Sequence, residues 1–270
     1  MPSKRRFTWL LALAAGWFGL GLVPDMAVAR DDVVQVAVQL EPPGLDPTRA
    51  AAAPIAEVVL GNVFEGLVRL NAQGRAEPAL ATAWRVSPDG LQYTFTLRHG
   101  VRFHDGSAFD AGIARDALER ARAPDSLNPM RAALAAIREV GAPAPDTLTL
   151  SLSRPAGGLL QTLGSAALVM VSPNTAADNA VRPVGTGPFR FVAWQRGAAL
   201  RLARNPAYWG PQAGVSGVVF RFISDPSAAY AAVMAGDIDV FANYPAPENL
   251  AQFQADQRFR VQVSSSEGEA

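Results

Sequence analysis

Few side chains in this chain could carry covalent or metal chemistry. There is no cysteine, and the only histidines are His99 and His104. Thiolate nucleophiles, disulfide frameworks and cysteine zinc sites are excluded, and a histidine-rich metal centre has no ligand set. A hydrolase built on a nucleophile, a base and an orienting acid would have to use one of those two histidines. Both read as turn residues, His99 before Gly100 and His104 in His104-Asp105-Gly106, and no serine lies in a nucleophile-elbow pattern. A carboxylate-pair glycosidase needs only Asp and Glu, yet nothing in the spacing brings two carboxylates together. Asp225, Asp237 and Asp239 do not follow calcium-loop spacing, and Asp225 reads as a helix cap. Gly185-Thr186-Gly187-Pro188 invites a phosphate-loop reading, but it lacks the third glycine and Pro188 removes a backbone donor. A tight crossing strand is the better account, with a cleft-lining loop as the alternative. No metal or cofactor site is expected.

What remains is recognition without chemistry, and strand ends at the edge of a mixed sheet are where clefts form. The candidate contact segment follows the first expected strand: Glu41, Pro42, Pro43, Gly44 and Leu45. Phe64, Glu65 and Gly66, just past the first expected helix, are candidates to face the same cleft.

The elements that must position these residues follow from pattern. Residues 33–40 alternate with Val34, Val36, Val38 and Leu40 on one face, a strand that Pro42 and Pro43 end. Pro54 opens a helix to about residue 63. Strands are expected at 67–70, 84–87, 92–97, 101–103, 147–152 and 168–171. Asp110 caps a helix over 111–122, and Pro129 starts another to about 140. Tyr93, Phe95, Phe103 and Trp84 are expected to pack beneath the first hairpin. A hairpin at 189–194 and 199–203, a strand at 218–223, a helix from Pro226 to about Met234, strands at 238–241 and 259–263, and a helix at 248–255 complete the reading. Strands and helices mix without strict alternation, so the class is α+β or mixed α/β.

The N-terminus sets the expected compartment. Lys4, Arg5 and Arg6 precede an uncharged, mostly apolar stretch over 7–23, and Ala27-Val28-Ala29 follows. This is the order of a secretory signal peptide over residues 1–29, the alternative being an uncleaved anchor. Lys4 is the only lysine, so removal of that leader also removes Schiff-base and P-loop lysine chemistry. No later stretch approaches about 18 uninterrupted apolar residues, so the exported chain is expected not to span a membrane. Basic and acidic residues balance at 24 each over 270 residues, which argues against a nucleic-acid partner.

Four blocks lie in a recognisable order. Leu45-Asp46-Pro47 follows the first strand. Residues 81–106 read ATAWRVSPDGLQYTFTLRHGVRFHDG. Pro183-Val184-Gly185-Thr186-Gly187-Pro188-Phe189 precedes Arg204-Asn205-Pro206-Ala207-Tyr208-Trp209-Gly210. Ala235-Gly236-Asp237-Ile238-Asp239 comes last. Together they resemble the family 5 extracellular solute-binding proteins, the peptide-, dipeptide- and nickel-binding components of bacterial ABC importers. One departure is Ala111-Gly112-Ile113-Ala114 at the start of a helix where the family carries an acidic residue and a valine. The larger departure is length, since the family runs to roughly twice this size.

The resemblance implies a periplasmic-binding-protein-like (type II) lobe with an inserted β-rich subdomain and the second lobe largely absent. The main lobe would comprise residues 30–70 and 183–270, and the subdomain 71–182. It implies a monomeric, non-enzymatic periplasmic receptor for oligopeptides or dipeptides, which closes two lobes on its ligand and docks on the membrane subunits of a cognate ABC permease. Bound peptide would run beside Glu41–Leu45 and pair through main-chain bonds. A secreted carboxylate hydrolase, an inactive fragment, and one half of a split receptor are the alternatives. Half a cleft is expected to bind weakly or not at all and to expose an apolar face where the other lobe belonged.

Overall fold

The computed structural model describes residues 32–263; the expected leader, residues 1–29, lies outside them. Eleven strands are described: β1 Val33–Val38, β2 Val68–Leu70, β3 Ala76–Pro78, β4 Ala81–Val86, β5 Gln92–Leu97, β6 Ile137–Ala144, β7 Thr147–Leu152, β8 Phe189–Gln195, β9 Ala199–Arg204, β10 Gly217–Phe222 and β11 Val240–Phe241. The helices are α1 Ala53–Val59, α2 Ala111–Arg122, α3 Leu159–Leu163, α4 Pro226–Met234 and α5 Leu250–Ala255.

They form two principal sheets. In the first the order is β11-β1-β10-β9-β8. β1 runs parallel to both β10 and β11, whereas β9 runs antiparallel to β10 and β8. In the second, β4-β5-β7-β6 are all antiparallel, and β2 and β3 make a separate pair. The mixed α/β class expected from the pattern is the class observed.

Alternation in the sequence decides which face each strand buries. Val38 of β1 packs with Val218 and Phe220 of β10, Leu200 and Leu202 of β9, and Phe189 of β8. Ile55, Val58 and Val59 of α1 close that core. In the second sheet Tyr93, Phe95 and Leu97 of β5 meet Leu148, Leu150 and Leu152 of β7. The helix α2 covers them with Ala111, Ala114, Ala117, Leu118 and Ala121, a small-residue face that lets the helix lie close to the sheet. Each large apolar side chain so buried contributes about 1.5–3 kcal/mol.

The capping residues work as their types dictate. Asp110 accepts from the Ile113 N–H at 2.9 Å, and Asp225 from the Ala228 N–H at 2.7 Å. Pro226 follows the second cap, where its missing N–H costs nothing. Arg120 and Arg122 sit in the last turn of α2, at the negative end of the helix dipole.

Residues 129–140 depart from the helix that Pro129 suggests. They form one 3-10 turn, Ala133–Ala136, and then β6. The free edge of β7 decides this: pairing with it satisfies a row of backbone groups, and that ladder overrides a local alanine preference for helix. Residues 101–103 make only an isolated bridge, Arg102 to Ala108, and residues 259–263 are not a strand.

Residues 168–171 are likewise no strand, yet their alternation matters more than a ladder would. Leu168 and Met170 point into the core of the antiparallel sheet, Val169 and Val171 into that of the mixed sheet. An unbroken apolar run is what a segment buried on both faces requires. This segment stitches the two cores together.

The tightest packing is backbone on backbone. A Cβ on Gly185 would lie 2.0 Å from the Val63 carbonyl oxygen, and one on Gly187 would lie 2.3 Å from that of Asn62. Gly187→Ala is therefore expected to cost about 3 kcal/mol or more, because main chain must move. Gly197→Ala, at φ +73° with open space around it, should cost only about 1 kcal/mol through backbone strain. Urea denaturation of the two variants checks the difference, and equal losses would contradict the close approach.

Candidate functional site

Three parallel strands, β11, β1 and β10, end on the same edge of the mixed sheet. Ala37 is level with Phe241 and Val38 with Phe222, and the Ile223 N–H donates to the Val38 carbonyl at 3.0 Å. Beyond β1 the chain emerges at exposed Leu40 and enters the candidate segment. Glu41 is half-buried and its carboxylate is fully engaged. Oε1 accepts from Trp194 Nε1 and Oε2 from the Gly197 N–H, each at 3.0 Å. Arg196 stacks on the Trp194 ring with its guanidinium carbon 3.4 Å from the centroid. Glu41 thus ties the exit of β1 to the tip of the β8–β9 hairpin.

Pro42 is buried, Pro43 exposed and Gly44 half-buried. Leu45 is fully buried, and its N–H donates to the Ala180 carbonyl at 2.9 Å. Asp46 then turns the chain by accepting from the Thr48 N–H and hydroxyl. Past that turn lies a cleft of about 400 Å³, bounded by Thr48, Arg49, Arg120, Asp125 and Asn128, with Met170 among its lining residues. On the β11 side, Asn243 adopts φ +54° and its amide donates to Glu57 of α1 at 3.0 Å. Beside it Tyr244 meets Phe241 and Phe253 edge-on, at ring centroid separations of 5.2 and 5.3 Å. No spacing in the sequence singled out this aromatic group.

Phe64, Glu65 and Gly66 stand behind that rim. Phe64 is fully buried in the mixed-sheet core. Glu65 is 9% exposed and accepts three hydrogen bonds: Thr186 Oγ1 at 2.8 Å, Tyr208 OH at 2.8 Å and Trp209 Nε1 at 2.9 Å. A Cβ on Gly66 would press on the carbonyls of Val68 and Leu163 at 3.0 and 3.2 Å. The side chains of Leu45, Phe64 and Glu65 therefore face protein, and the accessible part of the candidate set is Pro43 and Gly44, with part of Glu41.

The Glu65 carboxyl is raised above its ordinary value by burial, against the lowering effect of its three donors and of Arg98. Burial and the adjacent carboxylate push the Tyr208 phenol up. Arg98 stacks on Trp209 with its guanidinium carbon 4.0 Å from the ring centroid. The tyrosine and tryptophan of the block at 204–210 use their polar handles on one acceptor. Residue type announced that each needs a partner; only the fold chose Glu65.

The crossing also settles the histidine. His104 Nδ1 accepts from the Gly185 N–H at 3.3 Å, which leaves Nε2 as the donor to the Gly187 carbonyl at 3.0 Å. Both ring nitrogens are spent on backbone, so His104 is a clip and not a base. Burial is the main cause that holds its pKa below the ordinary histidine value of 6.5. Asn205 reinforces the same turn, donating to the Gly187 carbonyl at 3.1 Å and accepting from the Ala207 N–H at 3.1 Å. Among the described residues no three acidic or histidine side chains gather as a metal-binding group. No helix there is long and apolar enough to cross a membrane.

Glu65→Ala leaves three donors without their acceptor and is expected to cost about 3 kcal/mol or more; Glu65→Gln, which keeps one carbonyl, should cost less. The two titrations have opposite signs. The raised Glu65 carboxyl contributes stability that is fully present below its ordinary 4.5 and is lost as pH rises through its folded value. The depressed His104 contributes stability present above 6.5 and lost as pH falls through its folded value. Denaturation midpoints measured from pH 7 to pH 5 should fall more steeply for the wild type than for His104→Gln. Parallel curves would refute the buried neutral ring.

Comparison with known proteins places this geometry. The sequence profile of the bacterial extracellular solute-binding proteins, family 5, matches residues 75–269. The glutathione-binding protein GsiB of Pectobacterium atrosepticum is 30% identical over 259 residues, covering 93% of this chain and 48% of that protein. The periplasmic binding protein DppA of Helicobacter pylori, solved with the peptide STSA, superposes with a TM-score of 0.75 at 29% identity, covering 83% of this chain and 49% of that one. AgaA of A. tumefaciens R10, solved with agropinic acid, gives a TM-score of 0.77 at 28% identity, with coverage of 83% and 46%. The chain spans 36–48% of the length of the curated relatives it matches. On the profile match and the shared fold, this chain belongs to the family 5 bacterial extracellular solute-binding proteins.

Proposed function

We propose that this chain supplies one wall of a peptide receptor for an ABC importer, acting in the periplasm and delivering its solute to the membrane subunits of a permease. It is a monomeric binding protein and not an enzyme. The observation that carries the reading is the common edge where β11, β1 and β10 end, because ligands of open sheets lie outside the carboxyl ends of parallel strands. The solute runs beside the segment 41–45, where Pro43 and Gly44 offer accessible main chain. Leu45, Phe64, Glu65 and Gly66 build the wall behind it, and Glu41 holds the segment against the β8–β9 hairpin. The adjoining cleft carries both signs of charge, Arg49 and Arg120 opposed by Asp125, which suits a zwitterionic chain. Short peptides are the solute class, as the names of GsiB and the DppA complex also suggest. In this reading residues 30–70 and 183–270 form the main lobe and 71–182 the inserted subdomain; the two principal sheets support the division, while Leu67 and Val68 already pack in the antiparallel-sheet core and β2 pairs with β3 across the first boundary.

Titration calorimetry of the protein with di-, tri- and tetrapeptides and with glutathione is the test. As one wall of a cleft, the chain is expected to bind at best weakly, with a dissociation constant of about 0.1 mM or weaker. Pro43→Trp, at an exposed position, should weaken that binding at least tenfold while leaving the melting temperature unchanged. Submicromolar binding of any of these peptides by this one wall, or equal affinity in the variant, would overturn the assignment.

A further inference from the structure

A second groove, of about 480 Å³, lies where the turn at His104 meets β8 and the segment before it. None of its lining residues belongs to the strand-end rim. Two of them, Arg182 and Arg190, are exposed, and neither guanidinium has an ion pair or hydrogen bond among the described residues. One lining side chain is acidic: Asp105 keeps its charge, but no ion pair joins it to either arginine, and neutral donors engage both its oxygens. Its Oδ1 accepts from the Ser107 N–H at 2.9 Å and hydroxyl at 2.5 Å, and its Oδ2 from the Ser172 hydroxyl at 2.8 Å. The neutral His104 ring adds no counter-charge. The remaining lining residues, Pro183, Val184, Phe191, Val192 and Ala203, are apolar, although the Phe191 ring packs against the mixed-sheet core on the other face of β8.

The sheet register extends the positive field beyond the groove. Arg190 is level with Ala203, and Arg201 and Arg221 lie on that same outer face of β9 and β10. The residues of β8, β9 and β10 that share this face include no Asp or Glu. A cationic, partly apolar concavity of this size falls within the range of small-molecule sites. Guanidinium groups without partners are suited to bidentate carboxylate recognition.

We propose that this groove is a second small-molecule site, which takes an organic carboxylate with an apolar body. The carboxylate lies between Arg182 and Arg190, and the body rests on Val184, Val192 and Ala203. Phenylacetate serves as the probe, phenylacetamide as its neutral counterpart and inorganic phosphate as the bare anion. Each is titrated into the protein by calorimetry at low ionic strength. Saturable binding of phenylacetate is expected, at least tenfold tighter than either comparison compound. The double variant Arg182→Gln/Arg190→Gln should lose at least tenfold in affinity. Ala203→Phe, which fills the groove and removes no charge, should lose binding as well, so the test survives misfolding of either variant. Unsaturable binding of phenylacetate, equal affinity for the amide or for phosphate, or unchanged affinity in a folded variant would each overturn the proposal.

Discussion

The molecule depends on one crossing of main chain over main chain. Residues 185–187 lie directly on residues 62–65, with the Gly187 N–H donating to the Val63 carbonyl at 3.0 Å and the Phe189 N–H to that of Asn62 at 2.9 Å. Only glycine leaves room for that approach. Once the segments cross, Thr186 reaches Glu65, His104 reaches the carbonyl of Gly187 and the N–H of Gly185, and Asn205 caps the turn. Segments far apart in sequence become one joint between the two cores.

Glu65 is the costliest member of that joint. A carboxylate taken out of water is expensive unless its oxygens are paired. Here three neutral donors and a nearby arginine offset the loss, incompletely, which is why the carboxyl group remains raised. Neutral donors have a compensating advantage, since they orient the group without a second buried charge. The network brings the chain before the antiparallel sheet, residues 64–66, under the loop that follows β9. Residues 168–171 add a purely apolar tie on the other side, their alternate side chains entering alternate cores.

This arrangement explains why residues with the look of a site are mostly scaffold. Aromatic side chains, a histidine and a buried carboxylate in short motifs invite a chemical reading, yet every polar side-chain atom of His104 and Glu65 is committed inside the fold. In the proposed readings recognition falls to the edges, the strand-end rim and the groove beside β8. Rigid joints behind accessible loops are the usual division of labour in binding proteins.

Much was legible locally. Asp110 and Asp225 announced their helices, the alternation over 92–97 and 147–152 announced its strands, and the order of motif blocks announced the family. Those features are short-range: a cap, a proline or a period-two pattern acts within a few residues and survives any tertiary context. What the sequence could not reveal is which distant segments meet. That Glu65 is the acceptor for Tyr208 and Trp209, and that Glu41 is spent on Trp194, are decided by contacts across more than a hundred residues, while β6 forms where an alanine-rich stretch suggests helix because the neighbouring β7 offers it a free edge. An open strand edge or an unfilled hydrogen bond takes whichever partner the fold delivers, and spacing along the chain carries no record of that choice.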